Sequence, residues 1–240
     1  MNTYRRIVIA IFLLLLSFLP CLSATPGPEE DTAYVQLSLF WTTDRTKIPQ
    51  YFQKVGPILG SKGLRPARFF SAINAVEGEG MDIPALVVII VFPDKATYEA
   101  FAGDAQYHAA RWDNQGEDKQ LVIAGPSLGG VGENAGAQSE LPVRQYFVEL
   151  AWFKKAKKYE KYTAAADPVR EAHGFKLERS FRPEVVEHGE IDLPGIANVV
   201  YHDTAALYEA YQADPAYAKL QKRYAKAVKR AVWMKDTPGQ

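Results

Sequence analysis

The chain of 240 residues sets 28 lysines and arginines against 28 aspartates and glutamates, a formal net charge of zero. That balance provides no basic field to recruit nucleic acid or an anionic membrane, while an apolar content of 48% is enough for a packed core. A single cysteine, Cys21, excludes an intrachain disulfide and a cysteine-cluster metal site.

The first 24 residues read as a secretory signal. Arg5 and Arg6 precede the apolar run IVIAIFLLLLSFLP, and Leu22, Ser23 and Ala24 offer a cleavage site. The run falls short of the roughly 20 apolar residues that a spanning helix needs, so no stable membrane span is expected after cleavage. Tyr4 and Ile7 flank the arginine pair poorly for twin-arginine export, and Pro20 stands where a lipobox requires a small residue. A secreted or periplasmic protein is therefore expected. The mature chain would hold 26 basic and 28 acidic residues and no cysteine, which also removes thiolate chemistry. Residues 25–32, beginning TPGPEED, read as a disordered mature N-terminus.

Alternation and β-formers predict a strand at Val35 to Trp41, and helical spacing ending on glycine predicts a helix from Lys47 to Gly63. Pro57 is expected to interrupt that helix and open a second short piece, as is Pro168 in the later copy described below. A second strand follows at Leu64 to Phe70. Leu86 to Phe92, LVVIIVF, is apolar on both faces and so reads as a strand buried on both. Asp94 to Arg111 reads as one helix opened by an aspartate cap, and Leu121 to Ala124 closes the series as a strand. Residues 127–142, rich in glycine and small polar side chains, read as a flexible linker.

After the linker the series repeats. MDIPALVVIIVFPDKATYEAFAGDAQY at 81–107 lies over IDLPGIANVVYHDTAALYEAYQADPAY at 191–217 without a gap. Tyr98, Glu99, Ala100, Asp104 and Tyr107 then meet Tyr208, Glu209, Ala210, Asp214 and Tyr217, an offset of 110. Upstream the offset is 111, pairing Pro57, Gly63, Arg68 and Phe70 with Pro168, Gly174, Arg179 and Phe181. VQLSLF at Val35 to Phe40 answers VELAWF at Val148 to Phe153. Two copies of one unit, 33–126 and 143–236, each reading strand, helix, strand, strand, helix, strand, predict an α+β fold of two tandem ferredoxin-like βαββαβ units. Helices cover one face of such a sheet, and the second sheet covers the other, so the units are expected to pack sheet to sheet as an intramolecular pseudo-dimer.

This arrangement, with an apolar third strand and a Tyr-Glu-Ala-aromatic second helix closing in an Asp-x-x-Tyr turn, resembles the dimeric α/β-barrel superfamily in a tandem-fused form. The phrase FPDKATYEAFAGDAQY, Phe92 to Tyr107, resembles its stress-responsive and uncharacterised branches and its antibiotic-biosynthesis-monooxygenase-like branch. The resemblance implies the fold more than an activity, because the superfamily includes cofactor-independent monooxygenases, isomerases, haem enzymes and proteins of no assigned activity. The Asn, Trp and His set that the haem-degrading branch implies cannot all be placed here. A haem-using fused member implies an axial histidine on a helix of the second half, where His173 is the only candidate. Its place at a helix end reads instead as a cation near C-terminal carbonyls. No cofactor and no metal are expected.

Arg68 and Arg179 are the first candidates for a ligand site. Alternation puts Arg179 on the side of Phe175, Leu177 and Phe181, and Arg68 on the side of Leu64, Pro66 and Phe70. A guanidinium there either grips an anionic ligand or pairs with an acid of the partner unit. A second signal is asymmetry on the third strand. One face carries Leu86, Val88, Ile90 and Phe92 in the first copy, and the equivalent face carries Ile196, Asn198, Val200 and His202 in the second. His202 as acid or base with Asn198 as an orienting donor is one reading, and a strand-end histidine satisfied by water is the other. Trp152, Tyr201 and Trp233 read as core or pocket wall, the first two being candidate ligand contacts.

Glu184, Glu187, His188, Glu190 and Asp192 read as a solvated acidic loop rather than a metal site, since their spacing does not converge them. The lysines of FKKAKKYEKY, Phe153 to Tyr162, read as the wet face of a helix and not as a nucleic-acid patch. No phosphate loop, nucleophile elbow or HExxH motif is present. Two functions survive. One is a non-catalytic or stress-related protein holding a small aromatic or carboxylated molecule between sheet and helices. The other is a cofactor-independent monooxygenase or isomerase confined to the second half.

Overall fold

The computed structural model describes residues 32–71, 73–78, 80–112, 118–130 and 144–236. The expected signal, nearly all of the mature N-terminus and most of the linker lie outside the described residues. In the first half the order is β1 (Tyr34–Trp41), α1 (Lys47–Ser61), β2 (Pro66–Phe70), β3 (Ile73–Gly78), β4 (Leu86–Phe92), α2 (Lys95–Ala102), α3 (Ala105–Ala110) and β5 (Lys119–Gly129). The second half follows with β6 (Gln145–Phe153), α4 (Ala156–Ala172), β7 (Phe175–Phe181), β8 (Val185–His188), β9 (Ile196–His202), α5 (Ala205–Ala213), α6 (Pro215–Ala227) and β10 (Val228–Asp236).

The fold is α+β, with the strands in one large antiparallel sheet. Its order is β2-β4-β1-β5-β7-β9-β6-β10-β3, with β8 attached to β5. Each half thus keeps a four-stranded set, β2-β4-β1-β5 and β7-β9-β6-β10, in which equivalent strands hold equivalent places. The two remaining strands cross over. β3 of the first half pairs with β10, and β8 of the second half pairs with β5.

Strand alternation explains how LVVIIVF buries both faces. Val87 and Ile89 enter a core that also draws on Leu37, Leu39 and Ile123 of the first half and Val148, Leu150, Val199 and Val232 of the second. Leu86, Val88, Ile90 and Phe92 face the other way, into a cluster with Tyr51, Val55 and Leu59 of α1. At about 1.5–3 kcal/mol for each large side chain removed from water, the core shared by the halves is a major driving force. On the helix side the second half is less uniform, with two smaller clusters around Tyr159 and around Phe147.

Local chemistry sets the element ends, and several depart from expectation. Pro57 and Pro168 lie inside continuous helices rather than dividing them. The helix expected from Asp94 to Arg111 is instead two, because Asp104 accepts from the backbone N–H of Gln106 (2.9 Å) and Tyr107 (3.3 Å) and caps a new start. β5 runs past Ala124 to Gly129, into residues expected to be linker. There Ser127 and Gly129 pair with Phe181 and Ser180. A Cβ on Gly125 would lie 1.8 Å from the carbonyl oxygen of Arg182, so glycine serves close strand approach there rather than flexibility. The expected acidic loop is also revised: Glu187 and His188 belong to β8 and are held against the first half.

Candidate functional site

A cavity of about 210 Å³ opens between the helices and the sheet of the second half. Helical spacing delivers its wall. Tyr162 and Arg170 of α4 lie two turns apart on one face, with Ala166 between them, and Tyr217, Gln221 and Tyr224 repeat at four and three residues along α6. Tyr208 and Tyr211 enter from α5, and Phe147, Phe175, Ala231 and Trp233 rise from the sheet. Gly78 completes the rim from the first half's exchanged strand. Its φ is +123°, and a Cβ there would lie 2.0 Å from the carbonyl oxygen of Ala231, so only glycine fits the place.

The cation of this cavity is Arg170. Its side chain is 12% exposed, and one terminal nitrogen donates to the Tyr162 hydroxyl at 2.9 Å while the other stands 3.6 Å from Asp167. Its guanidinium carbon lies 4.9 Å from the Phe175 ring centre and 5.4 Å from that of Tyr162. Burial alone would disfavour the cation, but arginine keeps its charge here, and the nearby Glu149 carboxylate is among the groups that offset the cost of burial. Nε of Arg170 is buried without a hydrogen-bond partner among the described residues.

Behind the cavity lies a buried carboxylate. Glu149 is 1% exposed and accepts from the Tyr224 hydroxyl at 2.6 Å, from Asn198 Nδ2 at 2.7 Å and from the Tyr159 hydroxyl at 3.2 Å. Ser180 donates to Asn198 Oδ1 at 2.7 Å and so fixes the amide's orientation. Burial first, and then the Glu149 charge, push the Tyr159 and Tyr224 hydroxyls well above the ordinary phenol range, so both stay protonated donors. Tyr224, which also accepts from Trp233 Nε1 at 3.3 Å, connects the carboxylate to the cavity wall.

The expected site residues separate. Asn198 and His202 share the helix-facing side of β9, but neither lines the cavity. His202 is fully buried, with Phe175, Tyr208 and Phe147 ring centres at 4.5, 5.3 and 6.0 Å. It is therefore not a wet strand end. Burial lowers its pKa to about 4, opposed by a smaller backbone contribution from His173, although neither ring nitrogen meets full hydrogen-bond geometry.

Arg179 keeps the side of Phe181 but parts from Phe175 and Leu177, because β7 carries a bulge between Leu177 and Arg179. Phe175 and Phe181 consequently fall in different clusters, and Arg179 sits opposite Val199 of the shared core while Ser180 sits opposite Asn198. Arg68 does share a face with Phe70, and its Nε donates to Glu178 of the other half at 2.8 Å. Trp152 is in the shared core beneath Arg230, and Tyr201 lies under Arg144 at 4.4 Å on that same side, so neither reaches the cavity. His173 engages Asp214 at 2.9 Å. Among the described residues no group of three or more His, Cys, Asp or Glu could hold a metal ion, and no helix is long and apolar enough to cross a membrane.

Sequence reasoning missed Arg170, Glu149 and Tyr224, although the repeat carries the signal for two of them. At the offset of 111, Arg170 replaces buried Leu59, and in the first-strand alignment Glu149 replaces Gln36.

Residues 32–125 match the family model of a domain of unknown function, DUF1330. No curated protein matches the chain. Among solved structures, an anthrone oxidase-like protein aligns over 88% of this chain and 95% of its own, at 12% identity and a TM-score of 0.54. A candidate monooxygenase from Fusobacterium nucleatum aligns over 87% and 93%, at 6% identity and a TM-score of 0.51. Another, from Lactobacillus acidophilus, aligns over 86% and 93%, at 14% identity and a TM-score of 0.48. Likeness at such identities is one of fold alone.

Proposed function

We propose that the protein is an exported small-molecule-binding α/β-barrel protein, built as a pseudo-dimer of two ferredoxin-like units, whose second half holds a small aromatic anion. The observation that carries this reading is Arg170, a buried guanidinium in the wall of a cavity otherwise lined mostly by aromatic rings. Rings supply flat apolar walls, and a guanidinium supplies charge-assisted hydrogen bonds to a carboxylate or phenolate oxygen. A volume near 210 Å³ exceeds the ~150 Å³ that suffices for a benzene ring. The test is calorimetric titration with benzoate and 4-hydroxybenzoate. Arg170→Leu is expected to weaken binding about 10- to 100-fold, the worth of a hydrogen bond to a charged group. Unchanged affinity in that variant would refute the reading. Fractionation of the exporting cell checks the location.

A second reading, a cofactor-independent monooxygenase or isomerase, draws on the 2.6 Å contact between Tyr224 and Glu149. A proton leaving a bound substrate could pass to the Tyr224 oxygen as the Tyr224 proton passes to Glu149, with Asn198 positioning the carboxylate. That assigns proton handling to Glu149 rather than to His202, which aromatic rings enclose. The reading requires turnover of a bound phenol or carboxylate that Glu149→Gln abolishes while binding persists. Binding without turnover leaves the first reading in place.

A further inference from the structure

In the first half the place that corresponds to this cavity holds a side chain from the second half. Glu187, on the exchanged strand β8, extends onto the helix side of the first half, where its side chain is only 8% exposed. There its carboxylate pairs with the Arg111 guanidinium and accepts from the Tyr98 hydroxyl at 3.1 Å. Arg111 in turn stacks 4.9 Å from the Tyr107 ring centre. The neighbouring His188 ring contacts the Trp112 carbonyl at 3.0 Å and seals the same edge.

The repeat gives this arrangement its meaning. At the offset of 110, Tyr98, Tyr107 and Arg111 correspond to Tyr208, Tyr217 and Gln221, all three of which line the second-half cavity. His188 corresponds to Gly78 at its rim. Gln221 has no charge to offer where Arg111 stands, and the cation comes instead from Arg170, where the first half has Leu59. One half holds a carboxylate between an arginine and tyrosines, and the other holds a void between an arginine and tyrosines. We infer that Glu187 is a built-in ligand: the first half contains a small-carboxylate site that the chain itself fills through the exchanged strand. This deepens the binding reading above by naming the carboxylate as the recognised group. It rests on that reading for the second half alone, since the first-half site is defined by Glu187 and Arg111.

The test opens the first-half site in full-length protein with the other cavity disabled. In an Arg170→Leu background, Glu187→Ala removes the atoms of one acetate ion and leaves Arg111 uncompensated. Acetate is expected to raise the melting temperature of this double variant by about 3 °C or more at tenfold its Kd. Chloride at equal ionic strength is expected to have no such effect, and Arg170→Leu alone is expected not to respond to acetate. Adding Arg111→Leu removes both charges, so that triple variant is expected to fold and to ignore acetate. The inference is overturned if acetate stabilises neither protein or both equally. It is also overturned if Glu187→Ala stays unfolded at every acetate concentration while the Arg111→Leu variant folds, because a site for a free carboxylate would have been rescued. Benzoate titration of the unaltered chain reports separately on the second-half cavity, so the two readings can fail independently.

Discussion

His202 is a titratable ring enclosed by other rings, and its effect on stability has a definite sign. Burial lowers its pKa from the ordinary 6.5 to about 4, so in the folded chain it stays neutral while the unfolded chain already binds a proton. Above pH 6.5 the group contributes no pH dependence. As pH falls from 6.5 to 4 the unfolded state gains its proton first, and stability drops by roughly 3 kcal/mol. His202→Phe, which installs the residue the repeat places at Phe92, is expected to remove that loss. Urea unfolding at pH 7 and pH 4 checks it: the two proteins should differ little at pH 7, and the variant should be the more stable by roughly 3 kcal/mol at pH 4. An equal pH dependence in both would mean that the ring is charged when folded. His202 and Asn198 were legible because each is a polar residue opposite an apolar one in the repeat. Arg170 passes the same comparison against Leu59, but an arginine on a helix full of lysines reads as another solvated charge until the fold shows which face is turned inward. Glu187 was hidden for the opposite reason. Its surroundings are acidic and hydrophilic, and only pairing with a distant strand takes it out of water.

At the scale of elements, the bulges in β2 and β7 explain both a success and a failure of alternation. Each strand carries its irregularity just before an arginine, between Pro66 and Arg68 and between Leu177 and Arg179. A bulge adds one residue to one strand of a pair, and every side chain beyond it changes face relative to a simple count by twos. The count still grouped Arg68 with Phe70 because both follow the irregularity. It wrongly grouped Phe175 with Phe181 because the bulge lies between them. The β7 bulge also brings Glu178 within 2.8 Å of Arg68, both side chains being 3% exposed. A buried pair of this kind is costly to break and cheap to replace. Arg68→Ala is expected to destabilise the chain by about 3–5 kcal/mol, by removing the cation that Glu178 faces inside the protein. Arg68→Met combined with Glu178→Leu is expected to recover most of that loss, and the shift in urea midpoint across the set measures it. A double variant no better than Arg68→Ala would show that the pair is held by more than its two charges.

For the whole molecule, the recurring order of strands and helices was legible and the exchange of strands was not. The recurring pattern is visible in residues such as Tyr98 and Tyr208 because each packs from a helix against the sheet of its half. β3 and β8 are short, lie in segments with little apolar periodicity, and owe their pairing to the free edge that the other half presents. That exchange has a consequence for folding. Val87 and Ile89 are covered by residues such as Leu150 and Val199, and β10 is completed by a strand from the first half, so neither half can open without exposing part of the other. One cooperative transition is therefore expected, despite two copies that each have the strand and helix content of a domain. Tryptophans report the halves separately: Trp41 and Trp112 in the first, Trp152 and Trp233 in the second. In one variant the first pair becomes phenylalanine, in another the second pair, and each is unfolded in urea beside circular dichroism of the same sample. Fluorescence and circular dichroism midpoints should coincide within each variant. A fluorescence transition that precedes the loss of secondary structure in either one would show a half that unfolds alone, and the shared core would then not be what holds the molecule together.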